Sequence, residues 1–201
     1  MIETKQRKTL ITRRTRETEI ELELFLDGSG LSSIATGVGF MDHMLELFAV
    51  HGFFDLRLQA SGDTHVDDHH ITEDLGICLG KAFSSILGNK AGISRYGQAY
   101  VPMDETLARV CLDFSGRPYL HYGVMLTDQK VGTFDTALVK EFMRAFALHG
   151  SITLHIDLLH GENSHHIIEA VFKALGRAVA QAVVLDPRLK GQLSSKGMLE
   201  E

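Results

Sequence analysis

Between Thr18 and Leu26 the chain alternates with a period of two. Ile20, Leu22, Leu24 and Leu26 are apolar, and Glu19, Glu21 and Glu23 lie between them. That alternation predicts a half-buried strand over 18–26, closed by the turn Asp27-Gly28-Ser29-Gly30. The period then changes: Phe40, Met44, Leu47, Phe48 and His51 recur at helical spacing, predicting a helix over 40–51 that stops at Gly52. A strand over 53–60 and a polar loop from Asp63 to Asp68 precede a long helix from about His70 to Leu87, with Asp68 placed as its N-cap. The same order follows downstream. Strands are expected at 107–114 and 119–126, then a helix over about 135–149 ending in His149-Gly150 and a strand at 151–158. The loop Gly161-Glu162-Asn163-Ser164 leads into a helix from about His166 to Val184, with Ser164 as its cap. After Asp186-Pro187 the chain is polar.

The recurrence is also literal. Asp68-His69-His70-Ile71-Thr72-Glu73 and Ser164-His165-His166-Ile167-Ile168-Glu169 open equivalent helices, and Leu79-Gly80-Lys81-Ala82 matches Leu175-Gly176-Arg177-Ala178 at the same offset of 96. Aligning the preceding helices on His51-Gly52 and His149-Gly150 gives an offset of 98 and lays His43 over Glu141. A duplicated strand–helix–strand–helix unit implies an α+β fold with pseudo-twofold symmetry and helices on one face of each sheet. No flexible linker divides the halves, about 7–92 and 93–185, so they are expected to form one unit, followed by a tail over 186–201.

At 201 residues, with 44% hydrophobic and 23% charged residues, the chain can bury a full core. A net charge of −6 argues against nonspecific nucleic-acid binding. Cys78 and Cys111, one in an expected helix and one in an expected strand, read as reduced thiols. With no secretory segment and no long apolar run, the expectation is a cytoplasmic protein that does not enter a membrane.

The 11 histidines change the picture. A single His-His-x-x-Glu is most simply a polar helix start, but two in register place four imidazoles and two carboxylates at equivalent positions. In each motif the Glu shares a helix face with both histidines, three and four residues away, while adjacent histidines diverge by about 100°. The two imidazoles of one motif are therefore expected to serve different ions, or one of them to bridge outward across an interface. His43, His69, His70, Glu73, Glu141, His165, His166 and Glu169 make eight candidate ligands, enough for two six-coordinate ions with open positions. Imidazole and carboxylate without thiolate favour Mn2+ over tetrahedral zinc. His51 and His149, before the stops, read as helix-dipole and capping residues. His65, His121, His155 and His160 read as satisfied loop or strand residues. Arg95, Arg117, Ser195 and Lys196 are candidate anion ligands. Glu17, among Arg13, Arg14 and Arg16, and the pair Asp104-Glu105 could hold catalytic groups or form turns and ion pairs.

Gly39-Phe40-Met41-Asp42-His43-Met44-Leu45, the stretch from Gly62 to Asp74, and the stretch from Gly161 to Ala170 resemble the imidazoleglycerol-phosphate dehydratase family of histidine biosynthesis, and the likeness runs from about Arg7 to Leu199. Without a phosphatase domain, the chain is similar to the monofunctional form. The resemblance implies a duplicated fold like ribosomal S5 domain 2, two manganese ions per active site, and a homo-oligomer of 24 subunits with active sites at subunit contacts. It assigns His43, His69, His70, Glu73, His165, His166 and Glu169 to the metals, while Glu141 stands where many members carry His and is supported as a ligand by its alignment with His43. It assigns Arg95, Arg117, Ser195 and Lys196 to the substrate phosphate, and Glu17 to substrate contact and proton transfer, with Glu73 and Glu169 as further acid–base candidates. The implied reaction dehydrates imidazole-glycerol phosphate to imidazole-acetol phosphate through a metal-bound imidazolate and a diazafulvene-like intermediate. A dinuclear hydrolase would account for the ligands but not for the phosphate-binding set. A metal-storage shell would need no phosphate-binding set at all.

Overall fold

The computed structural model describes residues 6–195. Its elements fall into two matching series. The first is β1 (Lys8–Arg14), β2 (Thr18–Phe25), β3 (Ser32–Ala35), α1 (Gly39–Gly52), β4 (Asp55–Gly62) and α2 (His69–Leu87). The second is β5 (Tyr96–Met103), β6 (Thr106–Asp113), β7 (Tyr119–Gly123), α3 (Leu138–His149), β10 (Thr153–His160) and α4 (Ser164–Ala182), with the short hairpin β8 (Lys130–Val131) and β9 (Phe134–Asp135) inserted before α3.

The sheets repeat as well, in the orders β1-β2-β4-β3 and β5-β6-β10-β7. In each, the third strand pairs parallel with the strand after the helix, so Ile34 lies opposite Leu58 and Leu120 opposite Leu154. A parallel pair needs a crossover, and α1 and α3 supply it. Alternation on β2 buries Ile20, Leu22 and Leu24 and leaves Glu19 and Glu21 outside, as the period of two requires.

The helices fill the space between the sheets. α2 packs on β1, β2 and α3, while α4 packs on β5, β6 and α1. Both helix crossings are made close by glycine: a Cβ on Gly176 would lie 2.5 Å from Phe48 O, and one on Gly80 would lie 2.7 Å from Phe146 O. These glycines are equivalent under the 96-residue offset, and their contacts are equivalent under the 98-residue offset. The duplication therefore extends to tertiary packing. At the centre, Phe83 touches Phe48, Phe54, Phe114 and Phe146 with ring centroids 5.5–6.2 Å apart, joining the halves through one core.

Several expected local details differ. Strands β1, β3 and β5 and the β8–β9 hairpin carry no clear period and were not expected. Strand β7 stops at Gly123, short of 126, and α3 starts at Leu138, after 135. Asp68 occupies the N-cap of α2 without a side-chain cap; Asp67 Oδ1 accepts from His69 N instead. Helix α4 begins at Ser164, and its cap is Asn163, whose side chain accepts from His165 N and His166 N. Ser164 is turned away and donates to Asp128 Oδ2 at 2.8 Å. Burial pushes His51 and His149 down, reinforced by Lys173 and Arg177 at one and Lys81 and Arg13 at the other. That favours neutral imidazoles at the ends of α1 and α3. Among the described residues no helix is long and apolar enough to cross a membrane.

Candidate metal centre

Helix α1 carries His43 alongside the first turns of α4. The Asn163 cap orients those turns, placing His165 and Glu169 one turn apart on the face toward α1. His43 Nε2 and His165 Nε2 lie 2.9 and 3.0 Å from the same oxygen, Glu169 Oε1. Lys173, one turn further, donates to Oε2 at 2.7 Å. Phe40 meets His165 edge-on at 5.4 Å and covers one side. Burial pushes the Glu169 carboxyl up, but hydrogen bonds from Lys173, His43 and His165 outweigh it and hold the group down to about 2. Glu169 is therefore a carboxylate at any physiological pH. One ligand atom from each of His43, His165 and Glu169 lies within 4.8 Å of the other two, the only such group among the described residues.

The related residues of the other half are more open. His69 Nε2 and Glu73 Oε2 stand 4.0 Å apart across one helical turn. Glu141 pairs with Arg144. The Arg144 guanidinium meets the buried Oε2 directly. A set of imidazoles and carboxylates converging from two helices suits a cation. The residues present thus fit a divalent ion.

The second histidine of each pair turns elsewhere. The rings of His165 and His166 are 6.4 Å apart at 80°, and those of His69 and His70 are 6.0 Å apart at 82°. His166 Nδ1 lies 2.8 Å from Glu105 Oε2, and His70 Nδ1 lies 3.0 Å from Asp63 Oδ2. The hydrogen bond to Glu105 raises His166 above an ordinary imidazole; that to Asp63 does the same for His70, with Glu17 adding to it. Two further acids, Glu17 and Asp104, stand on equivalent turns near the outer nitrogens of these histidines. Glu17, between β1 and β2, stands 3.9 Å from His70 Nε2, and Asp104, between β5 and β6, stands 3.9 Å from His166 Nε2.

This geometry belongs to a known family. A sequence model described as imidazoleglycerol-phosphate dehydratase matches residues 36–179. The chain belongs to the imidazoleglycerol-phosphate dehydratase family. It is 58% identical to the enzyme of that name from Desulfotalea psychrophila, covering 97% of this chain and 98% of the relative. It is 56% identical to that of Halalkalibacterium halodurans over 96% of this chain and all of the relative. Among solved structures, the Staphylococcus aureus dehydratase superposes with a TM-score of 0.81 at 45% identity, covering 89% of this chain and 99% of that one. The Pyrococcus furiosus enzyme, solved in complex with (S)-C348, superposes with the same TM-score at 37% identity, covering 94% and 99%. The chain is accordingly a hydro-lyase with the family's duplicated α+β fold.

The residues expected to bind phosphate lie away from the cluster. Arg95 is buried at the far end of α4, where its backbone N–H bonds Ala182 O. Its Nε and Nη2 pair with Asp113 at 2.6 and 2.9 Å, and Nη1 bonds Leu193 O at 2.6 Å. Arg95 thus clips the tail in place just before the exposed Ser195. Arg117 is exposed at the same end, its carbonyl accepting from Thr153. From His165 to Ala182 the helix advances roughly 26 Å. Within one chain Arg95, Arg117 and Ser195 do not reach His43, His165 and Glu169, and Lys196 lies outside the described residues. Asp63 and Lys173 were missed from the sequence. The i+4 spacing of Lys173 from Glu169 was a usable signal, whereas Asp63 had only its closeness to the His-His pair.

Proposed function

We propose that this chain removes water from imidazole-glycerol phosphate to give imidazole-acetol phosphate, a step of histidine biosynthesis, with two manganese ions per active site, in the cytoplasm. The observation that most supports the reading is the convergence of His43, His165 and Glu169 at the start of α4. These three would hold one ion. His69, His70, Glu73, Glu141 and His166 would complete the ligand set, part of it from a neighbouring copy. When bound, the ions supply Lewis acidity and a template for the azole ring.

The remaining work falls to the chain's own groups. The carbon–hydrogen bond to be broken has no adjacent carbonyl, so its proton needs a carboxylate held beside the ring. Glu17 would serve: it stands close to His70 Nε2, on a turn whose carbonyl accepts from Asp63 N. It can take the proton in the forward direction and return it in tautomerisation of the enol to the ketone. Glu169, fixed as a carboxylate, suits cation holding better than proton donation. Arg117, Ser195 and Lys196 would anchor the phosphate and so orient the carbon skeleton, with Arg95 setting the tail that carries Ser195. Because these groups sit a helix length from the cluster, a second copy would bring them to it. That supports a homo-oligomer, read as the 24-subunit shell of the family, with active sites at subunit contacts.

Manganese-loaded protein incubated with imidazole-glycerol phosphate should form the ketone product. Failure to form it at any metal loading would remove this function.

A further inference from the structure

Two carboxylates, Asp63 and Glu105, lie outside the proposed ligand set, yet each binds the inner nitrogen of one histidine. They occupy different segments, one after β4 and the other between β5 and β6, so the duplication does not explain them both. We propose that Glu105 is a positioning residue that holds His166 with its proton on Nδ1 and Nε2 bare for an ion, and that Asp63 serves His70 in the same way. The inference rests on the metal reading above.

The Glu105 carboxylate is divided. Oε1 accepts from Asn163 N at 2.9 Å, from Glu162 N at 3.3 Å and from Thr106 Oγ1 at 3.1 Å. Oε2 is left for His166 Nδ1 at 2.8 Å. A neutral imidazole that donates through Nδ1 presents a lone pair at Nε2, and a carboxylate partner of this kind fixes both tautomer and ring orientation of a ligating histidine. Asp63 differs: both its oxygens face one atom, His70 Nδ1, at 3.2 and 3.0 Å.

The difference separates two otherwise similar substitutions. In Glu105→Gln the single oxygen stays with its three donors, and the amide NH2 faces His166 Nδ1, donor against donor. The imidazole relieves this by moving its proton to Nε2, which closes the metal-facing nitrogen. In Asp63→Asn the amide can rotate its oxygen toward His70 and keep the original tautomer.

Metal-free protein titrated with Mn2+, with free ion counted by electron paramagnetic resonance, should show Glu105→Gln weakened about 10- to 100-fold and Asp63→Asn close to the parent. In a His166→Ala background, Glu105→Gln should change nothing further, which a purely structural role would not predict. At alkaline pH, where His166 is neutral, nitrogen-15 spectra of histidine-labelled metal-free protein should show it protonated on Nδ1 in the parent and on Nε2 in Glu105→Gln. Parent-like Mn2+ binding by Glu105→Gln, equal losses in both backgrounds, or an Nε2-protonated His166 in the parent would each overturn the inference. A parent that binds no Mn2+ would remove the metal reading instead, and the nitrogen spectra would still decide the tautomer.

Discussion

The most exposing test of the cluster is Glu169→Gln in the absence of metal. The substitution keeps shape and volume and removes one charge. In the folded protein the carboxyl is held down to about 2 from 4.5 despite burial. A gap of that size corresponds to roughly 3 kcal/mol in favour of the ionised form. Charge-assisted hydrogen bonds of about 1.5–3 kcal/mol each, from two imidazoles and one ammonium, are of the right order to produce it. The amide would also strand Lys173, whose side chain is 14% exposed and whose other hydrogen bond among the described residues goes to Met103 Sδ. We expect a loss of about 2–3 kcal/mol near neutral pH, which at 2–4 °C per kcal/mol for a chain of this length lowers Tm by about 5–10 °C. The sign with pH follows from linkage. A carboxyl depressed on folding contributes fully above its unfolded value, and the contribution fades as pH falls from about 4.5 toward 2. Thermal melts of chelator-treated protein should therefore show the two proteins converging over that range. Lys173→Met should cost less in the Glu169→Gln background than alone, because it removes a stranded charge. A gap undiminished at pH 2.5, or losses that simply add, would refute the assignment of Glu169 as a carboxylate held by Lys173 and two imidazoles.

Three further outcomes are expected. Gly176→Ala should destabilise by about 1–3 kcal/mol in urea melts, through overpacking against the α1 backbone, and Gly80→Ala should match it at the equivalent crossing; two neutral results would contradict the close helix packing. Glu17→Gln should lower kcat about 10²- to 10⁴-fold while Mn2+ binding stays at the parent level; an unchanged kcat would take Glu17 out of proton transfer. If neighbouring copies share ligands, chelation should break large particles into small ones and Mn2+ should restore them; light scattering that stays constant through chelation would count against shared sites.

What the sequence made legible was whatever local periodicity or literal repetition encodes. The helices α1, α2 and α4 and the buried strands β2, β4, β6 and β10 all show a clean period or a repeated motif. Strand β1 alternates only between exposed and half-buried residues, β3 has four residues, and β5 contains Gly97 and Pro102. Edges of this kind bury too little on one face to leave a period. The cap of α4 was misplaced by one residue because Ser164 is recruited by Asp128, a tertiary partner that no local pattern reports. In the site, the convergence of each first histidine with its Glu was readable as an i, i+4 pair. The partners of the second histidines were not. Glu105 lies 61 positions from His166 and meets it only through the packing of the β5–β6 turn against the loop before α4.

Duplication accounts for the geometry of the cluster, and divergence accounts for its charge. Glu73 and Glu169 hold the same place on their helices, but the residue one turn on is Ile77 in one case and Lys173 in the other. His43 faces Glu169 from α1, whereas α3 offers Glu141 at the matching position, with Arg144 where α1 has Glu46. The α1–α4 cluster thus carries one carboxylate offset by one ammonium. The related α2–α3 residues carry two carboxylates, of which only Glu141 has a cation beside it. The acids on α2 and α3 therefore carry more uncompensated negative charge than the one on α4, and it lies on Glu73 rather than on Glu141, whose Oε2 meets the Arg144 guanidinium.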